Sequence, residues 1–187
     1  MTPWVILDRD GVINADSDLF IKNLDEWRPL PGSIDAIARL CHAGFQVAVA
    51  TNQSGVGRGL IAPEAVAAIH RELERLVVAA GGRIAGIFFC PHMPEDGCDC
   101  RKPRPGLLHS IATQFAIELA GIPAIGDSLR DLEAALAAGC QPILVRTGNG
   151  VKTECALASH PDARLHRVLV LDDLAAAADF LLTGQSS

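Results

Sequence analysis

Six short apolar runs, each separated from the next by a helix-length stretch, restrict this chain to one architecture more than any other feature. The runs are WVIL at 4–7, FQVAVA at 45–50, GIFF at 86–89, IPAI at 122–125, PILV at 142–145 and RVLVL at 167–171. None has the in–out polar alternation of a strand with one wet face, so they read as parallel strands covered on both sides. Amphipathic patterns between them predict helices at about 32–43, 63–80, 105–119, 129–138 and 172–182. Pro63 and Pro105 stand where helices begin, and Glu64 suits the positive end of a helix dipole. Gly44, Gly81 and Gly139 stand where helices stop, and Asp172 or Asp173 can cap the Ala-rich last one. Alternating strands and helices close into a parallel sheet with right-handed crossovers, an α/β, Rossmann-like domain. At 187 residues the chain is sized for one such domain over 1–187, with GQSS at 184–187 as a frayed tail.

Charge and hydropathy narrow the functional classes. A formal net charge of −6 disfavours nucleic acid as a partner, because a polyanion is repelled on average. No segment approaches the roughly 18 uninterrupted apolar residues of a membrane span. The first apolar run lacks a basic start and ends at Asp8, so no secretory leader is expected. A cytoplasmic protein is the expectation, and a monomer, since no heptad seam is evident. In a reducing compartment structural disulfides are rare. Cys41, Cys140 and Cys155 are scattered and read as small packing residues.

Ligands of open α/β sheets bind beyond the carboxyl ends of the strands. Four polar signals fall at such ends. They are DRDG (Asp8 to Gly11), TNQSG (Thr51 to Gly55), RKP (Arg101 to Pro103) and GDS (Gly126 to Ser128). Each alone reads as a turn, a cap or solvated charge. Together they bring Asp8, Asp10 and Asp127 to one rim beside Thr51 and Lys102. Carboxylates that close repel unless a cation sits among them, and oxygen ligands of this kind suit Mg²⁺.

The loop at 90–104 carries Cys90, His92, Cys98 and Cys100 directly before Arg101 and Lys102. A Cys₃His set can hold tetrahedral Zn²⁺, form disulfides or remain as neighbouring thiols; the compartment argues against disulfides. The loop has few apolar side chains with which to fold itself, so a metal would supply its ordering free energy.

Asp8-x-Asp10-Gly11 after the first strand, a hydroxyl in ATNQSG, then Lys102, then GDS, taken in this order over residues 4–150, resembles the haloacid dehalogenase superfamily of phosphatases. The motifs LDRDGVIN, CPH…CDCRKPRPG and VRTGNG narrow the likeness to members acting on small phosphorylated sugars, with histidinol-phosphate phosphatases as close relatives. The resemblance implies a domain without a large cap and with a zinc-bound loop. It implies Asp8 as nucleophile and Asp10 as acid and base. Mg²⁺ would be held by Asp8, the Asp10 carbonyl and Asp127. Thr51 and Lys102 would stabilise the transferring phosphoryl group. Zn²⁺ would be structural, on Cys90, His92, Cys98 and Cys100. Substrate contacts are implied at Asp16, Ser17, Asp18, Leu19, Thr51, Asn52, Gln53, Ser54, Arg101 and Lys102, and at Ser128, where some relatives carry lysine. Arg58 and Arg101 are candidates for gripping a second phosphate with a guanidinium fork. A module of another class, a catalytically silent zinc protein that binds a phosphorylated partner, would have no use for the Asp8/Asp10 pair.

Overall fold

Successive strand residues point to opposite faces of a sheet, and in this chain both faces are apolar. In a computed structural model describing residues 2–17 and 19–184, six strands form one wholly parallel sheet. They are β1 (Trp4–Leu7), β2 (Gln46–Asn52), β3 (Ile84–Cys90), β4 (Pro123–Gly126), β5 (Gln141–Val145) and β6 (Leu169–Leu171), in the order β3-β2-β1-β4-β5-β6. Seven helices accompany them: α1 (Ser33–His42), α2 (Ser54–Gly57), α3 (Pro63–Ala79), α4 (Gly106–Phe115), α5 (Leu129–Ala137), α6 (Gly150–Leu157) and α7 (Leu174–Thr183).

Val5, Leu7, Val47, Val49 and Ile143 bury on one face against Ile37 and Leu40 of α1, Ile69 and Leu73 of α3 and Ala177 of α7. Ile6, Ala48, Ala50 and Ala124 bury on the other, against Leu107, Leu108 and Ile111 of α4 and Ala134 of α5. This two-sided burial is why the runs carry no polar alternation.

All six expected strands and all five expected helices form. Pro63 opens α3, and the Asp173 side chain caps α7 by accepting from the Ala176 N–H. Three differences matter. β2 runs on to Asn52, so Thr51 and Asn52 are the strand end itself rather than a turn after it, and Gln53 leads into α2. The fourth helix stops at Phe115 instead of 119, where Ala116 turns into the left-handed region (φ 50°) and lets Leu119 reach the core. The short α2 and all of α6 were not expected. Among the described residues no element stands apart from the sheet and its flanking layers as a cap. The tail beyond Gly184 lies outside the described residues.

Candidate active site

Strand order reverses between β1 and β4, and the crevice beyond their carboxyl ends is where an open α/β sheet binds its ligand. Asp8 follows β1 and Asp127 follows β4, with the Asp8 N–H donating to Ile125 O at 2.9 Å. Asp8, Asp127 and Asp131 each bring one carboxylate oxygen within 4.8 Å of the others. Oxygens on one Mg²⁺ at about 2.1 Å lie roughly 3–4 Å apart, so Asp8 and Asp127 stand near enough to share such an ion, while Asp131 is engaged by Lys102. Lys102 Nζ sits against the cluster, 2.8 Å from Asp8 Oδ1 and 2.5 Å from Asp131 Oδ1, and donates to the Ala50 carbonyl at 2.8 Å.

The electrostatics demand a cation. Burial raises the Asp8 carboxyl well above its ordinary range; Lys102 opposes the rise, while Asp131, Asp127 and Asp10 add to it. Asp127 is pushed up to about 7 by burial and then by Asp131. Burial alone lowers Lys102, yet Asp131 and Asp8 more than offset that and hold it above the lysine range. One lysine cannot neutralise three carboxylates, so full ionisation needs a further positive charge.

Close packing holds Asp127 in place. A Cβ on Gly11 or on Gly148 would lie 2.2 Å from Asp127 Oδ2, and both residues have positive φ (84° and 58°). The same oxygen accepts from Asn149, through its backbone N–H at 2.7 Å and its Nδ2 at 3.2 Å.

Asp10 lines the same cleft but makes its hydrogen bonds in a separate network. Its Oδ1 accepts from Arg9 Nε (3.0 Å), Arg9 Nη2 (2.8 Å) and Asn14 Nδ2 (2.9 Å); its Oδ2 accepts from Arg9 Nη2 (2.8 Å) and Gln53 Nε2 (2.7 Å). Gln53 Nε2 also donates to Thr51 Oγ1 at 3.0 Å, which ties the hydroxyl to the same network. Arg9 is 1% exposed and its Nη1 lies 3.2 Å from His70 Nε2. Burial, then Arg9, lowers His70 to about 4, so the ring is neutral at pH 7 and can accept from the guanidinium.

Lys102 arrives on the 90–104 loop, and two devices set its position. Asn52 clamps its main chain, donating through Nδ2 to Lys102 O and accepting from Lys102 N, each at 3.1 Å. The second device is the Cys/His group. Cys90 Sγ lies 3.5 Å from His92 Nδ1, 3.6 Å from Cys98 Sγ and 3.2 Å from Cys100 Sγ. His92 Nδ1 and Cys98 Sγ lie 3.3 and 3.5 Å from Cys100 Sγ. A tetrahedron with edges of about 3.5 Å has its centre about 2.1 Å from each corner, close to Zn–S and Zn–N bond lengths. The sulfurs are far beyond the roughly 2.05 Å of a disulfide, and all six cysteines are free. Burial, then the Cys100 thiol, pushes Cys90 up to about 12, so its thiolate needs a cation here too.

These elements surround a cleft of about 280 Å³ lined by Asp8, Asp10, Asp16, Ser17, Thr51, Asn52, Gln53, Ser54, Arg101, Lys102, Asp127 and Ser128. Most of the expected contact residues are therefore gathered at one place. Leu19 is not: it is 73% exposed and Phe20 and Ile21 line the wall instead. Asp18 lies outside the described residues. Arg58 does not line the cleft, although it is near enough to help lower the Arg101 pKa, after burial and Arg130. Ser128 caps α5, its hydroxyl donating to Asp131 Oδ2 at 2.6 Å. Four residues were not anticipated: Asp131, Arg9, Arg130 and Asn149. Asp131 had a signal in its place four residues after Asp127, and Arg9 and Asn149 stood inside the DRDG and VRTGNG motifs without a role being read for them.

Over 178 residues the chain is 54% identical to the D-glycero-beta-D-manno-heptose-1,7-bisphosphate 7-phosphatase of Pseudomonas aeruginosa, covering 95% of this chain and 97% of that one. The enzyme of that name from Escherichia coli is 36% identical over 160 residues, 81% of this chain and 83% of that one. A crystal structure of D,D-heptose 1,7-bisphosphate phosphatase from B. bronchiseptica, complexed with magnesium and phosphate, matches with a TM-score of 0.90 at 52% identity, covering 97% of this chain and 99% of that one. Residues 99–177 match the family model of HAD-hydrolase-like proteins. The fold and the carboxylate site thus define a phosphatase of the haloacid dehalogenase class. Within that class the chain belongs to the D-glycero-beta-D-manno-heptose-1,7-bisphosphate 7-phosphatase family.

Proposed function

We propose that this chain hydrolyses the 7-phosphate of D-glycero-D-manno-heptose 1,7-bisphosphate and leaves heptose 1-phosphate, a precursor of the nucleotide-activated heptose of lipopolysaccharide. The observation that carries the reading is the meeting of Asp8, Asp127, Asp131 and Lys102 at the β1/β4 switch point, in a chain 54% identical to an enzyme of that name. The cytoplasm and a monomeric state go with this reading.

Asp8 attacks phosphorus; its carboxylate oxygen forms the new O–P bond as the bond to the sugar oxygen breaks. Asp10 delivers a proton to the leaving alkoxide, then takes one from the water that cleaves the aspartyl-phosphate. Arg9, Asn14 and Gln53 hold the Asp10 carboxyl for both steps. Lys102 fixes Asp8 Oδ1 and, with the Thr51 hydroxyl, offsets charge on the phosphoryl oxygens. Asp8, Asp127 and the Asp10 carbonyl would hold Mg²⁺, which when bound neutralises charge between an anionic nucleophile and a phosphate anion. Cys90, His92, Cys98 and Cys100 would hold a structural Zn²⁺, with no ligand position left for water. Arg101 and Arg130 line the cleft, and among the described residues neither has a carboxylate within ion-pair distance. Arg101 spends one donor, Nη1, on the His92 carbonyl at 3.3 Å, and the uncompensated charge of the two guanidinium groups suits the phosphate that is retained.

Phosphate release from the heptose bisphosphate and from histidinol phosphate, with and without Mg²⁺, tests the assignment. The expected kcat/KM is higher on the bisphosphate and dependent on Mg²⁺. Preference for histidinol phosphate would reassign the substrate. Absence of release from any sugar phosphate would favour a silent binding module. Asp8→Asn should abolish turnover with the fold intact, and near-normal activity would reject Asp8 as the nucleophile.

A further inference from the structure

The VRTGNG segment at 145–150 lies between β5 and α6, and nothing in the chemistry above uses its side chains directly. It touches three parts of the site. Thr147 Oγ1 donates to the Gly11 carbonyl at 2.6 Å, at the turn just after the Asp8/Asp10 pair. Gly148 packs so closely that an added Cβ would meet Asp127 Oδ2 at 2.2 Å and Gly11 Cα at 2.6 Å. Asn149 gives its backbone N–H and its Nδ2 to Asp127 Oδ2, at 2.7 and 3.2 Å. That same Nδ2 donates to Asp16 Oδ2 at 3.0 Å. One amide therefore joins a carboxylate of the cation site to a carboxylate on the 15–21 loop that walls the cleft.

We propose that Asn149 is a positioning residue that couples cation binding at Asp127 to placement of the 15–21 loop. Its two donors satisfy Asp127 Oδ2, and among the described residues Oδ1 accepts no hydrogen bond. Asp16 and Asp127 carry like charge and share one bridging amide. A cation on Asp127 weakens their repulsion and so strengthens the Asn149 bridge that already ties Asp16 to the site. The hold on Asp16 and the cleft wall it belongs to thus depends on whether the cation site is filled. The inference rests on the phosphatase reading only for the identity of the cation, because the coupling exists before substrate arrives.

The test uses the full-length, zinc-loaded protein without substrate. Mg²⁺ affinity is read from Mg²⁺-dependent thermal shifts, and loop order from hydrogen exchange of residues 15–21 with and without Mg²⁺. In the wild type, Mg²⁺ should slow exchange of the loop. Asn149→Ala should weaken Mg²⁺ about tenfold, as loss of a ligand's hydrogen-bond partner does, and abolish the Mg²⁺-dependent protection. Asn149→Asp keeps the backbone donor and the side-chain shape, so it should hold Mg²⁺ at least as well as Asn149→Ala yet lose loop protection equally. In turnover at saturating Mg²⁺, both variants should raise KM severalfold more than they lower kcat. Loop protection by Mg²⁺ that is unchanged in both variants, or absent in the wild type, would overturn the proposal. So would a uniform rise in exchange over α6 with unaltered Mg²⁺ affinity, which marks a merely structural role. Because these readings need no sugar, failure of the substrate assignment would leave them standing and would be told apart.

Discussion

Replacing Asp131 with asparagine isolates the charge that the sequence reading passed over. In the native site Asp131 Oδ1 pairs with Lys102 Nζ at 2.5 Å, and Oδ2 accepts from the Ser128 N–H at 3.0 Å and the Ser128 hydroxyl at 2.6 Å. The side chain is 9% exposed. Asn has one acceptor oxygen. If it keeps the Ser128 bonds, its NH₂ confronts the Lys102 ammonium, donor against donor. If it flips toward Lys102, the Ser128 N–H loses its acceptor. Breaking a buried ion pair costs about 3–5 kcal/mol. Asp8 and the Ala50 carbonyl still hold Lys102, so a cost at or just below the bottom of that range, about 2–3 kcal/mol, is expected. For a chain of this size about 1 kcal/mol shifts Tm by roughly 2–4 °C, so Asp131→Asn should melt some 5–10 °C lower at pH 7. Turnover should also fall, since Lys102 is less firmly placed against Asp8. The pH dependence gives an independent check. Burial alone raises Asp131, but Lys102 and the Ser128 donors hold it below the ordinary carboxylate range. A depressed carboxyl stabilises the fold above its unfolded pKa, near 3.9, and that stability is lost as pH falls toward the folded value. The gap between wild type and variant should therefore be full at pH 7 and shrink below about pH 4. A Tm within about 2 °C of wild type at pH 7, or a gap that widens in acid, would refute the role of this charge.

Three further outcomes follow from the same geometry. With Asp127 lifted to about 7 by burial and by Asp131, Mg²⁺ binding should release protons and tighten as pH rises through neutrality, read by calorimetry in buffers of different ionisation enthalpy; pH-independent affinity would contradict it. Cys98→Ser should deplete zinc and cut kcat/KM at least about tenfold, because the loop that carries Arg101 and Lys102 loses an anchor; metal analysis beside phosphate release checks this, and a zinc-free enzyme of normal activity would refute it. Gly148→Ala puts a Cβ 2.2 Å from Asp127 Oδ2 at a φ of +58°, so it should raise the Mg²⁺ concentration needed for half-maximal rate, whereas an unchanged Mg²⁺ dependence would show that Asp127 has room to move.

Much of the sheet was legible because burial on both faces leaves a local mark: an apolar run without alternation. The placement of Asp8, Thr51, Lys102 and Asp127 was legible for a related reason, since a parallel sheet puts every strand's carboxyl end on one rim. The Cys/His group was legible as a cluster before its geometry was known. Arg9 was not. A guanidinium flanked by two aspartates looks like surface charge, and its burial depends on His70, sixty-one positions away on α3. Asp131 did leave a trace, four residues after Asp127 on the start of α5, but its pairing with Lys102 crosses the sheet and has no local signal. α6 escaped because GVKTECAL begins with glycine and carries only a weak apolar stripe. Its Thr153 nonetheless matters: the hydroxyl donates to the Asp127 carbonyl at 2.8 Å.

The contacts around the cleft share a physical cause. Without a cap domain the cleft is walled by loops, and loops have too little apolar surface to order themselves. Each wall is tied down by polar or metal-type bonds instead. The 90–104 loop has its Cys/His group and the Asn52 clamp. The 15–21 loop has Asn149. The β5–α6 turn has Arg146, which pairs with Glu154 through two bonds of 2.8 Å and with Asp172 at 2.6 Å. Bonds of this kind depend on cations, pH and salt in a way the buried sheet does not. The walls should therefore open locally at a lower free-energy cost than the sheet unfolds, so that chelation or acid disarms the site while the six-stranded core stays folded.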